Sequence, residues 1–174
     1  DLRLDEVEDS CIREVILKWV WKGKNLPDDD LTGYRTVGCP SVTRKIYGAC
    51  IVEMFKEVYE DVIPCQQGAF RSGYRTSDAF AAMLHVNEAL NAAGLSAVFV
   101  GVDFKRAFDT LSRQQLQVMI KLMGVHPRFN EMIGEMYART GMREVAGSPL
   151  GELIDVRLGT LQGDVMSPIL WNIY

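Results

Sequence analysis

Asp103 closes the run Ser96-Ala-Val-Phe-Val-Gly-Val-Asp103, and an aromatic residue, Phe108, follows it five positions later. An apolar run of strand length ending in a carboxylate can hold a metal ligand rigidly, because a buried strand fixes its last residue better than a loop does. A lone Asp emerging from Val98, Phe99, Val100 and Val102 needs a partner for its charge. Mg²⁺, an Arg side chain and helix-end amides all qualify. The same carboxylate serves as a helix cap or turn former in many α/β proteins, so the strand end alone leaves the choice open.

Three other stretches stand out by residue type. Residues 66–78 put Phe70, Arg71, Gly73 and Arg75 into a short loop before a helix. Guanidinium pairs bidentately with phosphate, and glycine lets backbone approach it. Surface arginines are equally at home in solvent. Tyr34-Arg35 lies in a loop-like segment, and Gln162-Gly163 precedes an apolar helix. Gly163 would let backbone lie flat against a ligand or make an ordinary turn.

The elements that must hold these residues follow from periodicity. Val7, Cys11, Val15, Trp19 and Val20 recur at helical spacing, which predicts a helix in residues 1–24. Residues 25–38 read as a loop. From Pro40 to Pro64 an amphipathic helix carries Ile46, Cys50, Met54, Phe55, Val58 and Val62, with Arg44 and Lys45 in its first turns. Cations there oppose the helix dipole, so they are exposed or sit beside an anion. Thr76 or Ser77 caps the next helix, which Gly94 closes. The strand of residues 96–103 follows. Ser112 opens a helix up to Gly124, and another runs from Pro127 to about Arg139. The period then changes, and residues 142–158 read as a hairpin with a longer loop. Pro168 falls in the first turn of a last helix.

With 174 residues the chain buries a real core, enough for one domain or one and a part. Net charge is −4, so no global basic field points to a polyanion, and any such site must be a local cluster. Four cysteines without close spacing and two histidines give little support to a zinc site; reduced thiols of an intracellular protein, nuclear or cytoplasmic, are the expectation. There is no signal peptide, internal repeat or apolar run of membrane-spanning length. The chain begins without Met and stops inside an apolar segment, and is expected to be a fragment.

In order, Tyr34-Arg35, Phe70-Arg71-Ser-Gly73-Tyr-Arg75-Thr-Ser-Asp78-Ala79, Val102-Asp103-Phe-Lys-Arg-Ala-Phe108-Asp109 and Gln162-Gly163-Asp164-Val-Met-Ser167-Pro168 resemble the reverse transcriptases of non-LTR retrotransposons. The resemblance runs from about residue 22 to the end. It implies an α+β right-hand polymerase fold, with fingers in residues 1–95 and the first part of the palm in 96–174, a partial antiparallel sheet packed on helices. It also implies RNA-directed DNA synthesis, in which a DNA primer 3′ hydroxyl attacks the α-phosphate of a dNTP on an RNA template. Two Mg²⁺ ions, with Mn²⁺ as a substitute, would assist.

By the same resemblance, Asp103 is the first metal-binding carboxylate, and the amides around Arg106 and Ala107 face the triphosphate. Phe108 is the steric gate that leaves no room for a 2′ hydroxyl. Arg35 neutralises phosphates in the fingers, with Lys22 or Lys24 as a second member, and Arg71 and Arg75 lie near template or fingers. Gln162 and Gly163 pack on the nascent base pair. The sequence departs from the pattern at Thr36 and Val165, where Pro is frequent, at Ala69, where Gly is usual, and at Leu161, where a basic residue is frequent. The family's Tyr-x-Asp-Asp motif does not occur in these 174 residues, so they are expected not to polymerise alone. Two alternatives stand: a decayed or domesticated remnant that binds nucleic acid or a protein without chemistry, and a group II intron or retron enzyme.

Overall fold

The computed structural model describes residues 9–23, 27, 29–138, 140–144 and 151–174. A short helix α1 (Asp9–Arg13) runs directly into strand β1 (Glu14–Trp21), and a 3-10 turn (Leu31–Gly33) leads to β2 (Tyr34–Pro40). Helices α2 (Val42–Val62), α3 (Thr76–Ala92), α4 (Ala107–Thr110), α5 (Arg113–Leu122) and α6 (Pro127–Ala138) follow. Strands β3 (Gly141–Glu144) and β4 (Leu153–Asp155) come next, and α7 (Ser167–Ile173) ends the chain.

The strands form one sheet in the order β2-β1-β3-β4. β1 and β2 pair antiparallel with Val15 opposite Pro40, Leu17 opposite Gly38 and Trp21 opposite Tyr34. β1 and β3 run parallel, and β3 and β4 close antiparallel with Met142 opposite Ile154. The α+β class therefore holds, with a mixed sheet on helices. The hairpin expected in residues 142–158 is present as β3 and β4; its tip, residues 145–150, lies outside the described residues.

The core forms where α2 meets α5, α6 and α7. α2 starts on Ser41, whose Oγ accepts from the Arg44 amide at 3.1 Å. It buries Arg44, Tyr47, Gly48, Ile51, Phe55 and Tyr59, a stripe at three- and four-residue steps. Against it pack Leu116 and Ile120 of α5, Ile133, Met136 and Tyr137 of α6, and Leu170 and Ile173 of α7. Truncating a ring such as Phe55 in a core of this kind costs about 3–5 kcal/mol.

Three sequence expectations are corrected. The helix expected in residues 1–24 survives only as α1, because Val15-Ile-Leu-Lys-Trp-Val-Trp21 is rich in β-branched and aromatic residues and finds a strand partner; Val7 lies outside the described residues. That partner is the second correction, since Tyr34–Pro40 is a strand and not a loop. The third is the run 96–103, which forms no strand. It has no ladder partner among the described residues, and Val98 is 89% and Val100 81% exposed. An apolar sequence becomes a strand only when another strand takes its backbone hydrogen bonds. α3 forms as expected, yet buries none of its residues, and Phe80, Met83 and Leu84 face outward.

Candidate functional site

The connector between β4 and α7, residues 159–164, gathers much of the site. At one end the Thr160 amide donates to the Phe108 carbonyl at 2.8 Å and the Gly159 amide to the Leu111 carbonyl at 2.9 Å, tying the connector to α4. At the other, the Gly38 amide donates to the Gln162 carbonyl at 2.8 Å, tying it to the outer edge of β2. Gly163 has φ +112°, and a Cβ there would strike the Gly38 carbonyl oxygen and press on Val37. Only glycine lets the turn lie this close to the strand.

Strand alternation sets Arg35 on the same sheet face as Val37, the side chain that borders Gly163. Arg35 is exposed, and Lys18 stands opposite Val37 on that face. Lys22 donates to the Thr32 carbonyl at 2.9 Å, and Lys24 lies outside the described residues.

Phe108 is half-buried in an aromatic group, 6.0 Å from Trp171 and 6.4 Å from Phe70 between ring centroids. Trp171 also meets Phe104 at 5.6 Å. Arg106, just before Ala107 and the start of α4, adopts the left-handed conformation with φ +54°. Its carbonyl accepts from the Asp109 and Thr110 amides at 2.9 and 3.1 Å, so this outlier is held by the one-turn helix it opens.

The two loop arginines part company. Arg71 donates twice to Glu60 Oε2, at 3.0 and 2.7 Å, and also to the Pro64 and Gln67 carbonyls, while its guanidinium lies 4.8 Å from the Tyr74 ring centre. Its donors tie the loop to Glu60 of α2 and to carbonyls of the loop itself. Arg75 is exposed, and its amide donates to Asp78 Oδ2 at 2.8 Å at the start of α3. Asp103 is exposed on the run 96–106, which pairs with no strand among the described residues.

Sequence reading missed the most buried polar group nearby. Arg44 and Asp164 form an ion pair at 3.0 Å with both side chains wholly buried. The signal was half present: a cation in the first turn of a helix calls for an anion, and the anion is the residue after Gln162-Gly163. Tyr137 lies under this pair, 5.7 Å from the Arg44 guanidinium, and burial together with the Asp164 charge pushes its hydroxyl far above the usual tyrosine range. Leu161 is buried at 1% exposure beside Gly38, so the position where a basic residue is frequent belongs here to the core.

A mixed sheet whose outer strand, a one-turn helix and a glycine turn are drawn together by one connector defines an α+β domain with a preformed surface on its sheet edge. The reverse transcriptase (RNA-dependent DNA polymerase) family matches residues 23–174, and the chain belongs to that family. Divalent metals are general in the family. Among the described residues, no group of three or more His, Cys, Asp or Glu is placed to hold a metal ion. These residues do not by themselves fit a two-metal centre. No helix of the described residues is long and apolar enough to cross a membrane.

Proposed function

We propose that residues 1–95 and 96–174 are the fingers and the first part of the palm of a non-LTR retrotransposon reverse transcriptase. The complete chain extends a DNA primer on an RNA template with dNTPs. The observation that supports this reading most is the connector, which is bonded at one end to the Phe108 carbonyl and at the other carries Gln162 and Gly163 against β2, the strand that bears Arg35.

In this reading the Arg35 guanidinium takes the charge of the incoming phosphates. The Phe108 ring, kept in place by Trp171 and Phe70, lies under the sugar and excludes a 2′ hydroxyl. Gln162 and Gly163 press a flat backbone and an amide on the nascent base pair, reading its shape. Arg106 and Ala107 turn toward the triphosphate, and Arg75, with Arg71 behind it, borders template or fingers. Asp103 is one carboxylate of a divalent-metal site whose other ligands lie outside the described residues, so the 174 residues alone are expected not to extend a primer.

Primer extension by the complete chain tests the reading. Phe108→Ala is expected to increase rNTP incorporation relative to dNTP by about 10–100-fold. Unchanged sugar selectivity would remove the gate, and with it the main support for the site.

A further inference from the structure

The Arg44–Asp164 pair lies directly behind the Gln162–Gly163 turn. Arg44 uses all three of its nitrogens: Nε and one terminal nitrogen donate to Asp164 Oδ2 at 3.1 and 3.0 Å, while the other terminal nitrogen donates to the Ile12 carbonyl at 2.8 Å and to Thr140 Oγ1 at 2.9 Å. Thr140 Oγ1 in turn donates to the Met136 carbonyl at 2.8 Å. The guanidinium therefore joins α1, α2 and the end of α6 to one carboxylate. A lysine ammonium, a single point charge on a flexible stem, cannot span these acceptors.

Asp164 passes that fixed position on to the turn. Its amide donates to the Leu161 carbonyl at 3.1 Å, its carbonyl accepts from the Ser167 amide at 3.3 Å, and its Oδ1 accepts from the Met166 amide at 3.4 Å. Ser167 Oγ closes the loop by donating to the Leu161 carbonyl at 2.6 Å. Between Leu161 and Asp164 only Gln162 and Gly163 remain, so an immobile Asp164 leaves the turn little freedom. Among the described residues, the turn's other backbone tie is the Gly38 amide on the Gln162 carbonyl.

We propose that Arg44 is a positioning residue for nucleotide selection: through Asp164 it sets the height of the Gln162–Gly163 turn above β2, and hence the affinity for the incoming dNTP. The inference rests on the polymerase reading for its second half and on geometry alone for its first. A buried pair that served stability only would lower global stability when weakened and leave the turn's tie to β2 intact.

The test uses the complete polymerase chain with Arg44→Lys, with the isosteric Asp164→Asn as a second variant should the first fail to fold. Hydrogen exchange at the Gly38 amide reports the turn without needing activity. Arg44→Lys is expected to speed that exchange selectively, by about tenfold, while the β1–β2 ladder amides stay protected. It is also expected to raise the dNTP KM about tenfold with template–primer affinity unchanged. Unchanged Gly38 exchange in Arg44→Lys and Asp164→Asn overturns the positioning role. Faster exchange with an unaltered dNTP KM overturns the link to nucleotide selection. A wild-type chain without nucleotidyl transfer sinks the polymerase reading instead, while the exchange result still decides what Arg44 does.

Discussion

Residues 159–167 and residues 96–106 carry the two halves of the candidate chemistry, and the fold treats them oppositely. The first stretch is polar and glycine-containing, yet it is bonded to α4, to β2 and, through Asp164, to a buried arginine. The second is apolar and of strand length, yet it is exposed along its length and pairs with no strand among the described residues. Hydrophobicity is thus a poor guide to which of the two is rigid. What fixes a residue is whether neighbouring elements satisfy its backbone and its charge.

Substitutions break this comparison in a graded way. Arg44→Met strands the buried Asp164 carboxylate and should cost about 3–5 kcal/mol in denaturant unfolding of the complete chain. Asp103→Asn, on the exposed run, should stay within about 0.5 kcal/mol in the same measurement. Equal effects would erase the distinction between the two stretches. Gly163→Ala meets both a positive φ and the Gly38 carbonyl, and should cost about 1–3 kcal/mol while releasing the turn from β2. A neutral effect would mean that the turn adapts.

Arg71→Ala should lower stability by about 1–2 kcal/mol through its Glu60 and carbonyl bonds, read by the same unfolding curve. Loss of template affinity without loss of stability would instead make it a template contact.

Smallest near neutral pH is the Tyr137 effect, which grows in alkali. Burial raises its folded pKa above the unfolded value of ~10, so the folded state keeps a proton that the unfolded state releases. Stability is therefore intact below that pH and falls as pH rises above it. Tyr137→Phe should flatten the decline, with Tyr47, also raised by burial, contributing the remainder. An unchanged alkaline slope in Tyr137→Phe would show that the hydroxyl is not held neutral.

Elements with their own local signals were legible in the sequence. α2 was legible in extent, although the apolar spacing picked Ile46, Cys50, Met54, Val58 and Val62, which are exposed, and shared only Phe55 with the buried stripe of Tyr47, Ile51, Phe55 and Tyr59; α5 was marked by Ser112, whose Oγ accepts from the Gln115 amide, and α7 by Pro168. β1 and β2 were not legible, because Val15, Trp19 and Val20 fit helical and strand spacing alike and only the register with Tyr34–Pro40 decides between them. The site divides along the same line. Phe108, Gln162 and Gly163 stood out by type and order, whereas Arg44 and Asp164 are 120 positions apart and their partnership is a property of the fold alone. The run 96–103 shows the reverse error, a strand-like composition without the partner that would make it one.

In the proposed function Asp103 is a carboxylate of a polymerase centre rather than a surface charge on an exposed segment. Primer extension on an RNA template by the complete chain, comparing wild type with Asp103→Asn, tests it most directly. Synthesis is expected to fall by about a thousand-fold or more while the melting temperature holds. Undiminished synthesis in a folded Asp103→Asn protein would contradict it.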